Sequence, residues 1–290
     1  LCRDWSSDVC SSDLGVMIKT GIYGILRTID LFPVKSIPFA VLFFVAAGLS
    51  GLYGVMYALS QHDLKKLLAY HSVENIGIIG LRIGLGLLRQ ATGHPTVAFL
   101  GYAGALLHVA GHAIFKSLLF FAAGSVYQYS HTRDIELLGG LHKRLPWTTA
   151  GFLVGSLAIC GLPPFNGFVS EFLIYASLFA GVKSASISLS LLGLAGLIAL
   201  ALIGGLALAC FTKAFGVIFL GEPRRPLPEP TPESPAMVLP LAVLALLALG
   251  IGVFPAGPLR LLVAPVSTLA GEPPANMARL IAQSARISLV

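Results

Sequence analysis

His108, His112 and Lys116 stand four residues apart in a stretch, roughly 96 to 126, that otherwise holds no charge. On an α-helix each step of four turns about 400°, so the side chains share one face with neighbours ~6 Å apart along the axis. Ionisable groups at membrane depth are costly, and they point first to a path for protons or ions. A histidine taken singly could also serve as a hydrogen-bonding group between packed helices. Lys116 lies about ten residues before the run ends, roughly 15 Å at helical rise, which a lysine stem cannot cover. Its amine is therefore expected to face protein or internal water.

Further groups could join the same chemistry. His71 and Glu74 are i, i+3 in Tyr70-His71-Ser72-Val73-Glu74-Asn75, so they can meet across one helical turn. They can either fasten their helix to neighbours or stand in a proton path, where the carboxylate must be protonated, paired or hydrated. Glu171 follows Gly161-Leu162-Pro163-Pro164, where prolines between glycines must break a helix. A broken membrane helix bares backbone groups that are tolerated only inside protein or along a water-filled cavity. Glu171 is expected at that cavity. Lys19, early in the chain, reads on its own as an interfacial lysine. Lys66 stands in the polar turn Gln61-His62-Asp63-Leu64-Lys65-Lys66, at the foot of the helix that carries His71 and Glu74. Arg82, deeper in the same helix, calls for a partner carboxylate elsewhere.

The elements that must hold these residues are membrane helices. A mean hydropathy of +0.86 and a charged fraction of 11% over 290 residues exclude a soluble chain. The net charge of +6 reflects basic loops that set orientation, and no nucleic-acid partner is expected. Cys160 and Cys210 lie in apolar runs, and no Cys/His cluster suits zinc, haem or iron–sulfur. No cofactor is expected in this chain.

The predicted helices run from about Gly15 to Phe32, Ile37 to Ser60, Leu64 to Leu88 and Thr96 to Val126. A broken helix from Trp147 to Val182 follows, then Ser186 to Leu220 and Ala236 to Phe254. The fold class is thus all-α, a polytopic transmembrane bundle of about seven spans. Asp63 is placed to cap the third helix, and Lys213 to snorkel. The connection from Tyr127 to Pro146 reads as a solvated surface with local ion pairs. Lys65, Lys66, Arg133, Lys143, Arg144, Arg224 and Arg225 fall on one side, against Lys35, Arg89, Lys183 and Arg260. That bias puts the first group in the cytoplasm. Leu1 to Leu14 resembles a translated sequencing-adapter scar and is set aside as non-native, with the natural N-terminal portion expected to be missing. Residues 255–290 form an amphipathic or truncated C-terminal segment.

The runs QHDLKKLLAYHSVENIGII (Gln61 to Ile79), LLHVAGHAIFKSLLFFAAGSV (Leu106 to Val126) and GLPPFNGFVSEF (Gly161 to Phe172) resemble the antiporter-like, proton-translocating subunits of respiratory complex I and membrane-bound hydrogenases. His71 to Asn75 and TRDIELLGGLHKRLPWT (Thr132 to Thr148) are most similar to the hydrogenase-4 component B, formate hydrogenlyase subunit 3 type. The resemblance covers residues 15–254 as one transmembrane antiporter-like domain. It implies inverted five-helix repeats, each with a broken helix and a mid-membrane lysine. Here it implies one complete repeat, the second, preceded by the last helix of the first. It also makes Lys19 the connecting lysine, Lys116 the central lysine and Glu171 the terminal acid of a half-channel. The first-repeat glutamate and lysine of the family have no counterpart in the chain.

The expected function is that of a membrane subunit in a redox complex of the hydrogenase-4, formate hydrogenlyase or NADH:quinone oxidoreductase kind. The chain would translocate protons through Lys116, His112, His108, Glu171, Lys19, Glu74, His71 and Lys66. It would not itself carry out redox chemistry. Its partners would be other membrane subunits, hydrophilic redox subunits and the lipid bilayer, in the cytoplasmic (inner) membrane. The alternatives are a stand-alone multisubunit Na⁺/H⁺ antiporter subunit and a non-conducting scaffold that anchors redox subunits.

Overall fold

The computed structural model describes residues 13–32, 36–93, 95–182, 187–229 and 232–271. Most of the scar-like opening, the stretch 272–290, Lys35 and Lys183 lie outside the described residues. Among the described residues the chain is a bundle of α-helices. A π-helical turn Asp13–Met17 leads into α1 (Ile18–Leu31). Then come α2 (Ile37–Leu59), α3 (Leu64–Ala91) and α4 (Pro95–Ser130). The broken helix supplies α5 (Pro146–Ile159) and α6 (Asn166–Val182). The chain continues through α7 (Ile187–Phe219), α8 (Pro235–Val253) and α9 (Ala256–Ala270).

Local chemistry sets the boundaries. Asp63 accepts from the Lys65 and Lys66 amides at 2.9 and 3.1 Å, which caps α3 and stops α2 from running on. Lys213 donates to the Leu59 and Gln61 carbonyls at 3.1 and 3.3 Å, so it seals the end of α2. Pro163 and Pro164 part α5 from α6, with Gly161 in the left-handed region at φ 64°.

Among the described residues four helices, α2, α4, α7 and α8, are by themselves long and apolar enough to cross a membrane. α4 is the axis of the bundle, in contact with α3, α5, α6, α8 and α9. Glycines let α2 and α3 touch backbone to backbone: a Cβ at Gly54 or Gly77 would run into the facing main chain at Glu74 or Gly51. That close wall fixes the face of α3 that meets α4.

The connection from 131 to 145 is less solvated than expected. Ile135, Leu138 and Leu141 are fully buried, and the Leu64 amide donates to Arg133 O at 2.9 Å. At its surface Glu136 Oε1 lies 3.0 Å from His62 Nδ1 and Arg133 lies 3.6 Å from Asp63, so these contacts tie the loop to the turn ahead of α3. The loop is amphipathic: its apolar residues close the end of the core, and its charges stay in water.

Candidate functional site

α4 turns His108, His112 and Lys116 inward, and each is 0% exposed. The periodicity that places them on one face also sets that face against α3. Helix α3 runs antiparallel to α4, so Leu68 lies level with Lys116, Asn75 with His108 and Arg82 with Gly104.

At one end the Lys116 amine donates to the Leu68 carbonyl and sits 5.7 Å from the Phe120 ring centroid. Glu74 lies within electrostatic reach of that amine. The Glu74 carboxylate contacts His71 Nδ1, as the i, i+3 spacing allows, and both residues are buried. The His71 ring packs on Phe211 of α7 at 4.6 Å.

At the other end His108 is held on every side. Its Nε2 is 2.9 Å from Asn75 Oδ1, and its Nδ1 is 2.9 Å from Ser170 Oγ on α6. An Arg82 guanidinium nitrogen lies 3.3 Å from that same Nδ1, while the other donates to Gly104 O at 2.5 Å. Arg82 is fully buried and within electrostatic reach of Glu171. The Glu171 carboxylate rests on Gly161, where a Cβ would collide with it. Glycine at the break thus serves both the turn and the acid.

His112 stands between these ends. Its ring lies parallel to that of His108 with centroids 6.4 Å apart, and neither of its ring nitrogens finds a protein partner among the described residues. A buried imidazole so placed is open to water or to a passing proton.

The remaining residues singled out in the sequence fall in different places. Lys19 is half-buried, donates to the Gly15 carbonyl, and lies within electrostatic reach of His108, His112 and Lys116. Lys66 stands apart from the buried group: it is exposed, on a polar cleft of about 400 Å³ lined also by Gln61, His62, Asp63 and Asp134. Lys116 and Glu171 are not each other's nearest charges. The structure couples Lys116 with Glu74, and Glu171 with Arg82. Asn75, Arg82 and Ser170 were not foreseen as site residues. The one available signal was Arg82 itself, a charge deep in an apolar stretch of α3.

A helical membrane bundle with a broken helix beside buried ionisable residues defines a polytopic domain of the antiporter-like class. The chain belongs to the family described as NADH:quinone oxidoreductase/Mrp antiporter, transmembrane, whose profile matches residues 7–199. It is 42% identical over 243 residues to hydrogenase-4 component B of Escherichia coli (strain K12), covering 81% of this chain and 36% of that protein. With formate hydrogenlyase subunit 3 of the same organism it shares 39% identity over 231 residues, covering 80% and 38%. The chain therefore spans little more than a third of the length of these relatives. In fold it matches a chain of the Mrp complex from Dietzia sp. DQ12-45-1b with a TM-score of 0.73. The identity there is 24%, covering 97% of this chain and 55% of that one.

Proposed function

We propose that the chain forms part of a membrane subunit, in a cytoplasmic membrane, of a redox-driven complex of the hydrogenase-4 or formate hydrogenlyase kind. In that setting it carries protons along Lys116, His112 and His108. The reading is supported by one observation above all: three ionisable side chains on α4 with no exposed surface, the lysine among them coupled to Glu74 of α3. Burial of that many titratable groups is unfavourable unless they pair or conduct.

The residues act in sequence. Leu68 O and Glu74 hold the protonated Lys116 amine. A proton gained or lost at Glu74, which His71 contacts, changes the field at Lys116 and so its hold on its own proton. His112, whose ring nitrogens find no partner among the described residues, relays toward His108, and Glu171 receives at the break. Lys19 adds a positive field from the α1 side, and Lys66 offers a charged mouth at the loop surface. Redox chemistry and its cofactors belong to hydrophilic partner subunits, and neighbouring membrane subunits complete the proton route.

Proton uptake by inverted membrane vesicles containing the assembled complex tests this reading. Lys116→Ala is expected to abolish turnover-driven uptake while dye-linked redox turnover persists. Undiminished uptake in that variant overturns the assignment. Exchanging Na⁺ for K⁺ in the medium should leave the wild-type signal unchanged if protons are the ion carried.

A further inference from the structure

We propose that Arg82 is the gate of this file, closing it by occupying His108 Nδ1 and opening it by swinging to Glu171. The proposal rests on the reading of the file as a proton path and assigns it the element that prevents leakage.

The argument begins with hydrogen placement. The Asn75 side-chain amide donates to His71 O at 2.8 Å, which leaves its Oδ1 to accept from His108 Nε2 at 2.9 Å. The Nε2 nitrogen therefore carries the hydrogen, and Nδ1 presents a lone pair. Two groups face that lone pair, and only one of them can also accept. The Arg82 guanidinium, 3.3 Å away, can only donate. Ser170 Oγ lies 2.9 Å from both Nδ1 and Gly167 O, so its single hydrogen bonds Nδ1 while that nitrogen is bare and turns to Gly167 O when Nδ1 carries a hydrogen.

These neighbours make His108 a two-state element. With Arg82 in place, a hydrogen on Nδ1 would meet an N–H donor and a like charge, and the ring stays neutral. With Arg82 withdrawn, an Nδ1 hydrogen would point at the Ser170 oxygen, whose own hydrogen then turns to Gly167 O. Glu171, within electrostatic reach of the guanidinium, supplies the pull. The guanidinium Nε finds no partner among the described residues, so only its terminal nitrogens hold it, through Gly104 O and His108. When the gate is open a protonated His112 gives up its proton, which reaches Nδ1 and leaves His112 neutral beside a His108 imidazolium bonded to Ser170. The proton leaves from the same nitrogen to the Glu171 carboxylate, restoring neutral imidazole, and no electron is exchanged. A neutralised Glu171 no longer attracts Arg82, which returns to His108 and closes the path behind the proton.

The test is passive proton leak, measured in inverted vesicles holding the assembled complex with redox substrate withheld. Arg82→Met keeps the unbranched apolar stem of the side chain and removes its donors. It is expected to raise leak at least about tenfold, because a minor open state of at most a tenth becomes the only state. Arg82→Lys keeps a donor on Nδ1 and should stay near wild type. Adding His108→Phe to Arg82→Met should close the leak again. A merely structural arginine predicts the opposite pattern: less complex in the membrane and no leak per complex. The gate is overturned if Arg82→Met is tight at matched amounts of complex, if Arg82→Lys leaks equally, or if leak persists with His108→Phe. Arg82→Gln, polar but too short to hold Nδ1, decides the same question if Arg82→Met does not accumulate. A tight Arg82→Met variant beside a dead Lys116→Ala variant removes the gate alone. Leak through His108 beside an active Lys116→Ala variant removes instead the role given to Lys116.

Discussion

Helices α4 and α7 are near twins in length, 36 and 33 residues, and both exceed the roughly 30 Å core of a bilayer. They differ in surroundings. The most apolar window of α4 is 61% buried inside the protein, and that of α7 only 28%. α4 turns its ionisable residues into the bundle, where carbonyls, a carboxylate and a guanidinium receive them. α7 faces outward with Leu191, Ile198 and Leu202 exposed, and its single charge, Lys213, sits near its end on the carbonyls that close α2. The glycines divide in part, for Gly196 of α7 is also crowded, its Cβ position 2.7 Å from Leu178 and Phe44. A Cβ at Gly101 of α4 would come within 3.2 Å of Arg82 O and Gly86 N, while Gly204 and Gly205 of α7 have nothing within 4 Å. A helix can carry charge through a membrane only when other helices encircle it. Apolarity and length alone do not tell the two kinds apart.

That contrast can be broken, the largest effect first. Leu202→Arg on α7 puts a charge on the lipid-facing side of the bundle and should cost about 3 kcal/mol of insertion. The amount of chain resisting carbonate extraction should fall accordingly. Wild-type amounts would show that this face of α7 is covered by another subunit. Gly101→Ala forces a methyl between α4 and α3 and should lower the thermal midpoint of the solubilised complex, at a cost of about 1–3 kcal/mol. The same methyl at Gly204 should raise the midpoint, by up to about 1 kcal/mol, because a helical glycine in open space costs only conformational entropy. Equal responses at the two glycines would erase the distinction between a packed helix and an open one.

The outlines of the helices were legible because apolar runs and their punctuation coincide. Asp63, the paired prolines at 163 and 164, and the loop from 221 to 235 each fall where a helix begins or stops. α4 still exceeds its apolar run, since Tyr127 to Ser130 stay helical after the polarity rises. The shared face of His108, His112 and Lys116 followed from period alone. What period cannot give is the register between helices. Arg82 was visible as an unexplained charge, but its bonds to Gly104 and His108 depend on α3 running antiparallel to α4 at one particular offset. The same offset couples Lys116 with Glu74 rather than with Glu171. Pairings of this kind belong to packing, and a single sequence does not state them.

Glu233, just ahead of α8, accepts from the Trp147 and Thr148 amides at 2.8 and 2.9 Å and from the Thr148 hydroxyl at 2.5 Å. It thereby clasps the first turn of α5. At the far end of α5, the Pro164 carbonyl seats directly on Gly252 of α8. The half-helix and its proline kink are thus pinned to α8 at top and bottom, like a rafter fixed to a post at two heights. α8, with Glu233 just ahead of it, touches α5 at its first turn and again at the break on which Glu171 rests.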